Sequence, residues 1–242
     1  MKTVILAEKP SVARAYAEAF QVEKVEKTHI LLKSCSTFPY GATITWGIGH
    51  LVELKEPHEY NPAWKIWSLD TLPIIPQTFE YRVKKEVAQQ FHAVKKLFHE
   101  ADLLINGCDL DVEGSNIFYS ILLMSGAKNK QIKRLWINSL EVDEVRRGFN
   151  NLLDIQRDYR MFLAGSTRQK GDYLVGINLS RLYSLLIQQK GVRNAVFSVG
   201  RVQSPTLYMI YEREKAIQNF VSKPFYEVVG LFTTQNGTDT YT

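Results

Sequence analysis

The amino-acid sequence predicts an α/β domain built on a parallel sheet, followed by a mostly helical domain and the start of a β-containing domain. Three observations predict this order. Short apolar runs typical of strands alternate with helical patterns over the first part of the chain, as in parallel α/β folds. Strand patterns disappear after Asp154, where helical periodicity takes over. After Pro224 the pattern becomes strand-like again.

The predicted α/β domain opens with the apolar strand Thr3–Glu8, followed by a helix over Pro10–Phe20 with proline in its first turn. Two strands are then predicted at His29–Cys35 and Ala42–Trp46, and loops over Pro57–Pro76. The other predicted elements of this domain are a helix over Val87–Phe98, a strand over Leu103–Asn106, a strand over Arg134–Asn138 and a helix over Glu141–Asn150. Because strands and helices alternate, we expect parallel strands with functional sites at their carboxyl ends.

The second half of the chain is predicted to be helical and then extended. A long helix over Tyr159–Lys190 is followed by a loop through Ser198 and a second helix that ends at Phe220. A strand is predicted over Phe225–Thr234, and no partner strand is expected before Thr242. A lone strand does not form a stable sheet, so the last segment is interpreted as the beginning of a further domain. The predicted domains are 1–152, 153–218 and 219–242.

The composition is that of a globular protein with a mildly basic balance. The 242 residues are 45% hydrophobic and 23% charged, and the net charge is +5 at pH 7. An excess of positive charge suits a polyanionic partner such as nucleic acid. Cys35 and Cys108 are the only cysteines, so the sequence predicts neither a disulfide framework nor a structural zinc site. With no signal peptide and no run of about 18 apolar residues, we expect a cytoplasmic protein without a membrane partner or a small-molecule cofactor.

Three acidic residues at alternate positions follow the predicted strand Leu103–Asn106. They are Asp109, Asp111 and Glu113, and a predicted helix begins directly after them. Glu8 ends a strand that we expect to be adjacent in the sheet, which adds a fourth carboxylate at the same edge. Hard oxygen ligands of this kind suit Mg²⁺. From the residues alone, a solvated turn with acids at a helix N-terminus remains the alternative.

Five segments of the chain carry motifs in the order found in a known family. They are Leu6–Ser11 (LAEKPS), Gly47–Leu51 (GIGHL), Trp67–Pro76 (WSLDTLPIIP), Arg134–Leu140 (RLWINSL) and Ser198–Leu207 (SVGRVQSPTL). With these motifs the chain resembles the N-terminal portion of bacterial type IA DNA topoisomerases of the topoisomerase III kind, from residue 1 to about residue 230. The resemblance implies a toprim domain, which is Rossmann-like with a parallel sheet, then a helical DNA-binding domain and the start of the arch domain.

The resemblance also implies roles for the acidic edge. It makes Glu8, Asp109 and Asp111 ligands of Mg²⁺, with Mn²⁺ as an alternative cation, and Glu113 the residue that completes the cluster. It assigns Glu8 to proton transfer at the tyrosine or the leaving 3′ oxygen, and Lys9 to the scissile phosphate. Both roles are physically sensible, because a carboxylate beside a metal can act as acid or base and an ammonium can neutralise charge on a phosphoryl group.

The predicted helical domain carries a basic stretch with interleaved aromatic residues, a mixture suited to phosphate contact and base stacking with single-stranded DNA. Between residues 168 and 201 six basic residues and one acid give +5, namely Arg168, Lys170, Arg181, Lys190, Arg193 and Arg201 against Asp172. The resemblance implies DNA contacts at Arg168, Asp172, Tyr173, Arg181, Ser198, Val199, Gly200, Arg201, Val202 and Gln203. Trp64, in the predicted long loop, is a further candidate for base stacking.

The implied activity is cleavage, passage and rejoining of single-stranded DNA, which relaxes negative supercoils or decatenates DNA in the bacterial nucleoid. Type IA enzymes cut through a tyrosine that forms a 5′ phosphotyrosine. No tyrosine among the 242 residues stands in the family's Tyr-Pro-Arg-Thr-type motif, and Tyr211, two residues before Arg213, lies inside a predicted helix. We therefore expect this portion to bind Mg²⁺ and single-stranded DNA without supplying the nucleophile.

Two positions depart from the family pattern. Val112 stands where the family usually has arginine, and Ser115 where it has a further glutamate. Because of these departures an alternative function stays open, in which the chain is a toprim protein that binds single-stranded DNA without catalysis. Another toprim enzyme, such as a primase or a nuclease, is disfavoured because those enzymes lack the Ser198–Leu207 signature.

Overall fold

The computed structural model describes residues 1–192, 195–234 and 237–241. The chain divides into two compact units, Met1–Val199 and Gly200–Thr242. The first unit thus includes both the α/β part and the long helix that follows it. The predicted domain ranges 1–152, 153–218 and 219–242 remain a prediction. Arg193, which belongs to the predicted basic stretch, lies outside the described residues.

A mostly parallel sheet forms the centre of the first unit. The strands of this unit are β1 Thr3–Ala7, β2 Val22–Val25, β3 His29–Leu32, β4 Ala42–Trp46, β5 Val52–Leu54, β6 Tyr81–Val83, β7 Leu103–Gly107 and β8 Gln131–Arg134. Six of them form one sheet in the order β2-β3-β4-β1-β7-β8, in which β4, β1, β7 and β8 run parallel and β2 and β3 add an antiparallel edge. β5 and β6 form a separate antiparallel pair. The predicted α/β fold with a parallel sheet is confirmed.

Helices cover both faces of this sheet. They are α1 Pro10–Glu18, α2 Pro57–Tyr60, α3 Ala88–Glu100, α4 Val112–Ser125, α5 Val142–Asn150 and α6 Gln156–Gln189, with short 3-10 turns at Pro62–Lys65, Leu69–Thr71 and Lys85–Val87. α1 and α5 contribute to the hydrophobic core on one face, and α3, α4 and the start of α6 to the core on the other. In the described part of the chain, no helix combines the length and apolar character needed to cross a membrane.

The first strand shows why an apolar run without alternation forms a central strand. Ile5 packs into the core on the α1 and α5 face, while Val4 and Leu6 pack into the core on the α3 and α4 face, and all three are fully buried. Successive side chains of a strand point to opposite faces, so a strand buried on both faces must be apolar throughout. This burial fixes β1 between β4 and β7 and thereby places Glu8 at the centre of the carboxyl edge.

The long helix α6 packs along α4 and so belongs to the first unit. Gly165 is buried at this contact, because a Cβ atom there would lie 2.8 Å from the carbonyl oxygen of Val112 and 2.9 Å from its Cγ1. Phe162, one turn earlier, packs into the same core as α3 and α4. The close approach at Gly165 therefore holds the first half of α6 against the α/β part.

The predicted position of the last strand of the sheet was wrong. The strand is Gln131–Arg134, paired with Leu103–Asn106, and not Arg134–Asn138. β8 lies at the edge of the sheet, with β7 on one side and, in the described structure, a single bridge from Arg134 to Leu153 on the other. An edge strand tolerates the polar residues of this segment. Leu135 instead leaves the strand and is buried in the core, and its N–H still donates to the carbonyl oxygen of Asn106 at 3.0 Å.

The described residues of the second unit form a helix and a pair of antiparallel strands. α7 spans Gln203–Gln218, β9 spans Gly230–Thr234 and β10 spans Gly237–Tyr241, paired antiparallel with β9. The expectation of a lone strand that begins at Phe225 was therefore wrong. β10 reads Gly-Thr-Asp-Thr-Tyr and lacks an alternating apolar pattern, so its strand character comes from pairing with β9, which a periodicity argument does not detect.

Candidate functional site

Two neighbouring strand ends bring the first acidic residues together. β1 and β7 run parallel with Ala7 opposite Gly107, so Glu8 and Asp109 leave the sheet at the same edge. The Glu8 side chain is 11% exposed, and its Oε2 accepts a long hydrogen bond of 3.4 Å from the backbone N–H of Asp109. The parallel register that the sequence predicted therefore places a largely buried carboxylate beside a solvent-accessible one.

Lys9 lies between these two carboxylates. Its Nζ is 3.0 Å from Glu8 Oε1 and 3.6 Å from Asp109 Oδ2. The hydrogen bond to Glu8, together with the attraction of Glu8 and Asp109, raises the pKa of the Lys9 ammonium above its ordinary value. The carboxylates of Glu8 and Asp109 thus both lie close to one position, which a cationic group occupies.

Asp111 is held by the start of α4. Its Oδ1 accepts a hydrogen bond of 2.7 Å from the backbone N–H of Gly114, as an N-cap side chain does. The loop folds back so closely that a Cβ atom at Gly114 would lie 2.3 Å from the carbonyl oxygen of Asp109. Only glycine fits there, which explains the Gly114 that follows the three acids.

Glu113 contacts two basic side chains. One carboxylate oxygen is hydrogen-bonded to Nε2 of His50, in the loop after β4, and the other accepts from a terminal guanidinium nitrogen of Arg168 on α6 at 2.6 Å. The contact of His50 with Glu113 was not predicted, because only the folded loop brings these two residues together. Both carboxylate oxygens of Glu113 are therefore engaged by basic side chains.

The donor set fits a cation of the Mg²⁺ type. Among the described residues, no group of three histidine, cysteine, aspartate or glutamate side chains is arranged to hold a metal by itself. Mg²⁺ usually takes one or two carboxylates and completes its octahedron with waters and phosphate oxygens. Glu8 and Asp109, which already share the Lys9 ammonium, meet this requirement, with Asp111 two residues further along the chain.

Two buried charged residues behind this edge were not predicted. Arg134, at the end of β8, and Asp158, in the first turn of α6, are each 1% exposed and form an ion pair. The sequence contains no local signal for them, because they lie 24 residues apart (158 minus 134) on different elements. Their partners are therefore set by the tertiary fold alone.

A cavity of about 360 Å³ lies beside the middle of α6, lined in part by Trp67, Asp172, Tyr173 and Arg181. The predicted DNA contact Arg181 is 6% exposed, and its guanidinium donates to the carbonyl oxygen of Trp64 at 2.7 Å and lies 5.2 Å from the centre of the Trp67 ring. Burial lowers the pKa of Arg181. Its Nε is buried without a hydrogen-bond partner among the described residues.

Tyr173 lines the same cavity. Its ring stands edge-on to Phe79 with the ring centres 5.9 Å apart. The hydroxyl is buried without a hydrogen-bond partner in the described structure, and burial raises its pKa to about 12. The structure thus brings Asp172, Tyr173 and Arg181 to one cavity, whereas Arg168, an exposed side chain, contacts Glu113.

The predicted contact segment Ser198–Gln203 crosses the boundary between the two units. In the first unit Val199 donates its N–H to Ser180 Oγ at 2.9 Å, which ties the end of this unit to α6, and Ser198 is exposed. In the second unit the N–H of Gly200 donates to Ser204 Oγ at 3.1 Å. Arg201, Val202 and Gln203 are exposed at the start of α7.

The chain also matches known protein families. Residues 3–140, more than half of its length, match the toprim domain. The chain belongs to the toprim family. Further along the sequence, residues 156–241 of this toprim chain match the DNA topoisomerase family.

Relatives of this toprim chain are named as DNA topoisomerases. It is 34% identical to DNA topoisomerase 3 of Vibrio cholerae over 99% of its own length, and 38% identical to DNA topoisomerase 3 of Pasteurella multocida over 93%. It covers 36% and 34% of those proteins, so it spans about a third of the length of these curated relatives. The resemblance to bacterial topoisomerase III is confirmed.

A solved structure shares the fold of this toprim chain. Full-length topoisomerase I from Thermotoga maritima superposes with a TM-score of 0.58 at 22% sequence identity. The match covers 90% of the toprim chain and 31% of the Thermotoga chain. This likeness supports the fold over the part of the chain that the match covers.

Proposed function

We propose that this toprim chain is the metal- and DNA-binding portion of a type IA DNA topoisomerase of the topoisomerase III kind. Such an enzyme cleaves, passes and rejoins single-stranded DNA, and so relaxes negative supercoils or decatenates DNA. The observation that carries the proposal is the convergence of Glu8 and Asp109 around Lys9 at the carboxyl edge of the sheet. We also propose that it acts on nucleoid DNA in the bacterial cytoplasm.

Glu8, Asp109 and Asp111 would hold Mg²⁺ or Mn²⁺, with Glu113 as the outermost acid of the cluster. The cation would supply neutralisation of charge on the phosphoryl group. Glu8, largely buried and hydrogen-bonded to a lysine, can hold or release a proton at the tyrosine or the leaving 3′ oxygen. Lys9, on the exposed side of the same pair, can place its ammonium against the scissile phosphate.

Single-stranded DNA would run along α6 from the acidic edge to the cavity at Tyr173. Arg168 lies next to the acidic cluster through its contact with Glu113, and can turn to a phosphate. In the cavity, the hydroxyl of Tyr173 and Nε of Arg181 are buried without partners in the described structure, and both can bond to a nucleotide. Trp64 and the segment from Ser198 to Gln203 complete the proposed contact set.

Calorimetric titration of Mn²⁺ and Mg²⁺ tests the metal site. The double variant Asp109→Asn, Asp111→Asn should lose the binding heat, because an amide is a far weaker ligand for a hard cation than a carboxylate. The matched control is Asp143→Asn, Asp154→Asn, which removes two carboxylates that are 98% and 83% exposed and pair with Arg146 and Lys133. The control should bind like the parent chain. Equal heats for both double variants would refute the assignment.

A further inference from the structure

A buried ion pair lies directly behind the acidic edge. Nε of Arg134 is 3.3 Å from Oδ1 of Asp158, and both side chains are 1% exposed. Burying two charges carries a desolvation cost that their mutual attraction often fails to recover. An apolar pair would not carry this cost, so the buried ion pair indicates a role that requires charged, hydrogen-bonding side chains.

Arg134 holds the backbone that carries the acids. One terminal nitrogen of its guanidinium donates to the carbonyl oxygens of Asn106 and Cys108, at 2.9 and 2.7 Å. The other terminal nitrogen donates to the carbonyl oxygen of Asp109 at 2.6 Å. The planar fork of an arginine can fix several acceptors at once in a way that lysine cannot. Three of the four carbonyls from residue 106 to residue 109 are thus bound to one side chain.

Asp158 holds the same segment from α6. It accepts 2.8 Å and 2.6 Å hydrogen bonds from Nδ2 of Asn106 and Oγ of Ser115. Oγ of Ser115 is also 3.1 Å from the carbonyl oxygen of Asp111, so this one hydroxyl joins the buried acid to the last turn of the loop. Ser115 is fully buried. The backbone that carries Asp109 and Asp111 is therefore bound at both ends by one hydrogen-bonded network.

We propose that Arg134, Asp158 and Ser115 are positioning residues for the acidic site. They hold the loop from Asn106 to Asp111 in the geometry that presents its two aspartates to a divalent cation. This proposal rests on the proposed function of the loop as a metal site. It also assigns a role to Ser115, one of the two departures from the family pattern: its hydroxyl takes part in the support of the loop.

The test compares two serine variants on α4. Arg134→Met would leave Asp158 buried and unpaired and is expected to destabilise the whole chain, so it is unsuitable. Ser115→Ala removes one hydroxyl from the network. Ser120→Ala is the matched control, because Ser120 is also on α4 and 1% exposed, but its hydroxyl donates within its own helix, to the carbonyl oxygen of Ile117.

Two quantities are measured on the 242-residue chain. The affinity for Mn²⁺, followed by electron paramagnetic resonance of the free ion, should fall about tenfold in Ser115→Ala, the size typical for removal of a group that orients a metal ligand. Hydrogen exchange without metal should become about fivefold faster in the peptide that covers residues 106–113, because a hydrogen bond that supports the loop is removed. Ser120→Ala should match the parent chain in both.

The hydrogen-exchange measurement distinguishes failure of the proposed metal site from failure of the proposed positioning role of Ser115. If the parent chain binds no Mn²⁺, the metal assignment fails, and the exchange of residues 106–113 alone decides whether Ser115 supports the loop. Faster exchange in Ser115→Ala than in Ser120→Ala supports the positioning role. Equal exchange in the two variants, or an equal decrease in their Mn²⁺ affinity, overturns it.

Discussion

At the residue scale, Tyr173 buries a hydroxyl that has no hydrogen-bond partner in the described structure. An unsatisfied buried hydroxyl costs about 1–3 kcal/mol, and such a cost is retained where a ligand satisfies the group. The cavity beside Tyr173 also contains Arg181, whose Nε is unsatisfied as well. The unsatisfied groups of Tyr173 and Arg181 therefore indicate this cavity as the place where a nucleotide would bind on α6.

Replacing Tyr173 by phenylalanine should have opposite effects on stability and on binding. We expect the free energy of unfolding to rise by about 1 kcal/mol, because the unsatisfied hydroxyl is removed. The affinity for a short single-stranded oligonucleotide should fall about fivefold, the equivalent of one hydrogen bond. Urea denaturation and fluorescence anisotropy measure the two effects.

Tyr183→Phe is the control for this variant, since Tyr183 lies on the same helix and is 51% exposed. It should change neither quantity. A Tyr173→Phe variant that is destabilised and binds DNA with unchanged affinity would show that the hydroxyl has a structural partner and no DNA contact.

At the scale of elements, the contact of α4 with α6 depends on the absence of a side chain at residue 165. Val112, which replaces the arginine usual in the family, presents its Cγ1 to this contact. α4 begins directly after Asp109 and Asp111 and contains Glu113, and α6 contains proposed DNA-binding residues such as Arg168 and Tyr173. The close packing of the two helices therefore fixes the distance between the two parts of the site.

A pair of glycine variants on α6 tests this packing. Gly165→Ala should lower the free energy of unfolding by about 1–3 kcal/mol, because the new Cβ would lie 2.8 Å from the carbonyl oxygen of Val112. Gly171→Ala, at a position with no atom within 4 Å of a new Cβ, should raise it by up to about 1 kcal/mol through helix propensity. Chemical denaturation measures both, and effects of the same sign would contradict the close contact.

The start of α7 provides a second test at this scale. Arg201 is exposed there, and the binding of single-stranded DNA should weaken steeply as salt rises because basic side chains release counterions. Arg201→Ala should reduce the slope of log affinity against log salt by about one unit for each phosphate that the arginine binds. Arg213→Ala, an exposed arginine further along α7, serves as control and should leave the slope unchanged. If the parent chain bound DNA equally well at low and high salt, this would contradict a surface that binds DNA phosphates.

At the scale of the whole molecule, the proposed metal-binding edge and the proposed DNA-binding helix α6 belong to one compact unit, and we expect neither to supply the nucleophile. A cation beside Glu8 and Asp109 can position a phosphate but cannot store the energy of a broken phosphodiester bond. That storage requires a tyrosine held against the same edge. Tyr211 lies in α7, in the second unit, and lacks the neighbours of the family motif.

We therefore predict that the 242-residue chain neither relaxes negatively supercoiled DNA nor becomes covalently attached to single strands. A single strand labelled at its 3′ end, incubated with Mg²⁺ and separated on a denaturing gel, should give no labelled protein band. A band that disappears in Tyr211→Phe would identify Tyr211 as the nucleophile and contradict the proposed division of roles. Activity should return when the residues that carry the motif tyrosine are joined to the same polypeptide.

The sequence by itself determined the features that depend on local pattern. The apolar run of β1 and the run of β7 predicted two parallel strands, and the acids that follow predicted the edge at which Glu8 and Asp109 meet. The motifs predicted the family, because each is a short contiguous segment. The start of α4 could also be predicted, since an N-cap aspartate and a glycine lie within four residues of each other.

Only the tertiary structure decided which distant residues meet. Glu113 pairs with His50 and Arg168, and Arg134 pairs with Asp158, although the members of each pair are far apart in sequence and none carries a local signal of its partner. The strand β10 likewise forms by pairing and not by an apolar pattern. Ion pairs, edge strands and buried polar networks depend on which segments packing brings together, and that is a property of the whole fold that periodicity and motif spacing do not contain.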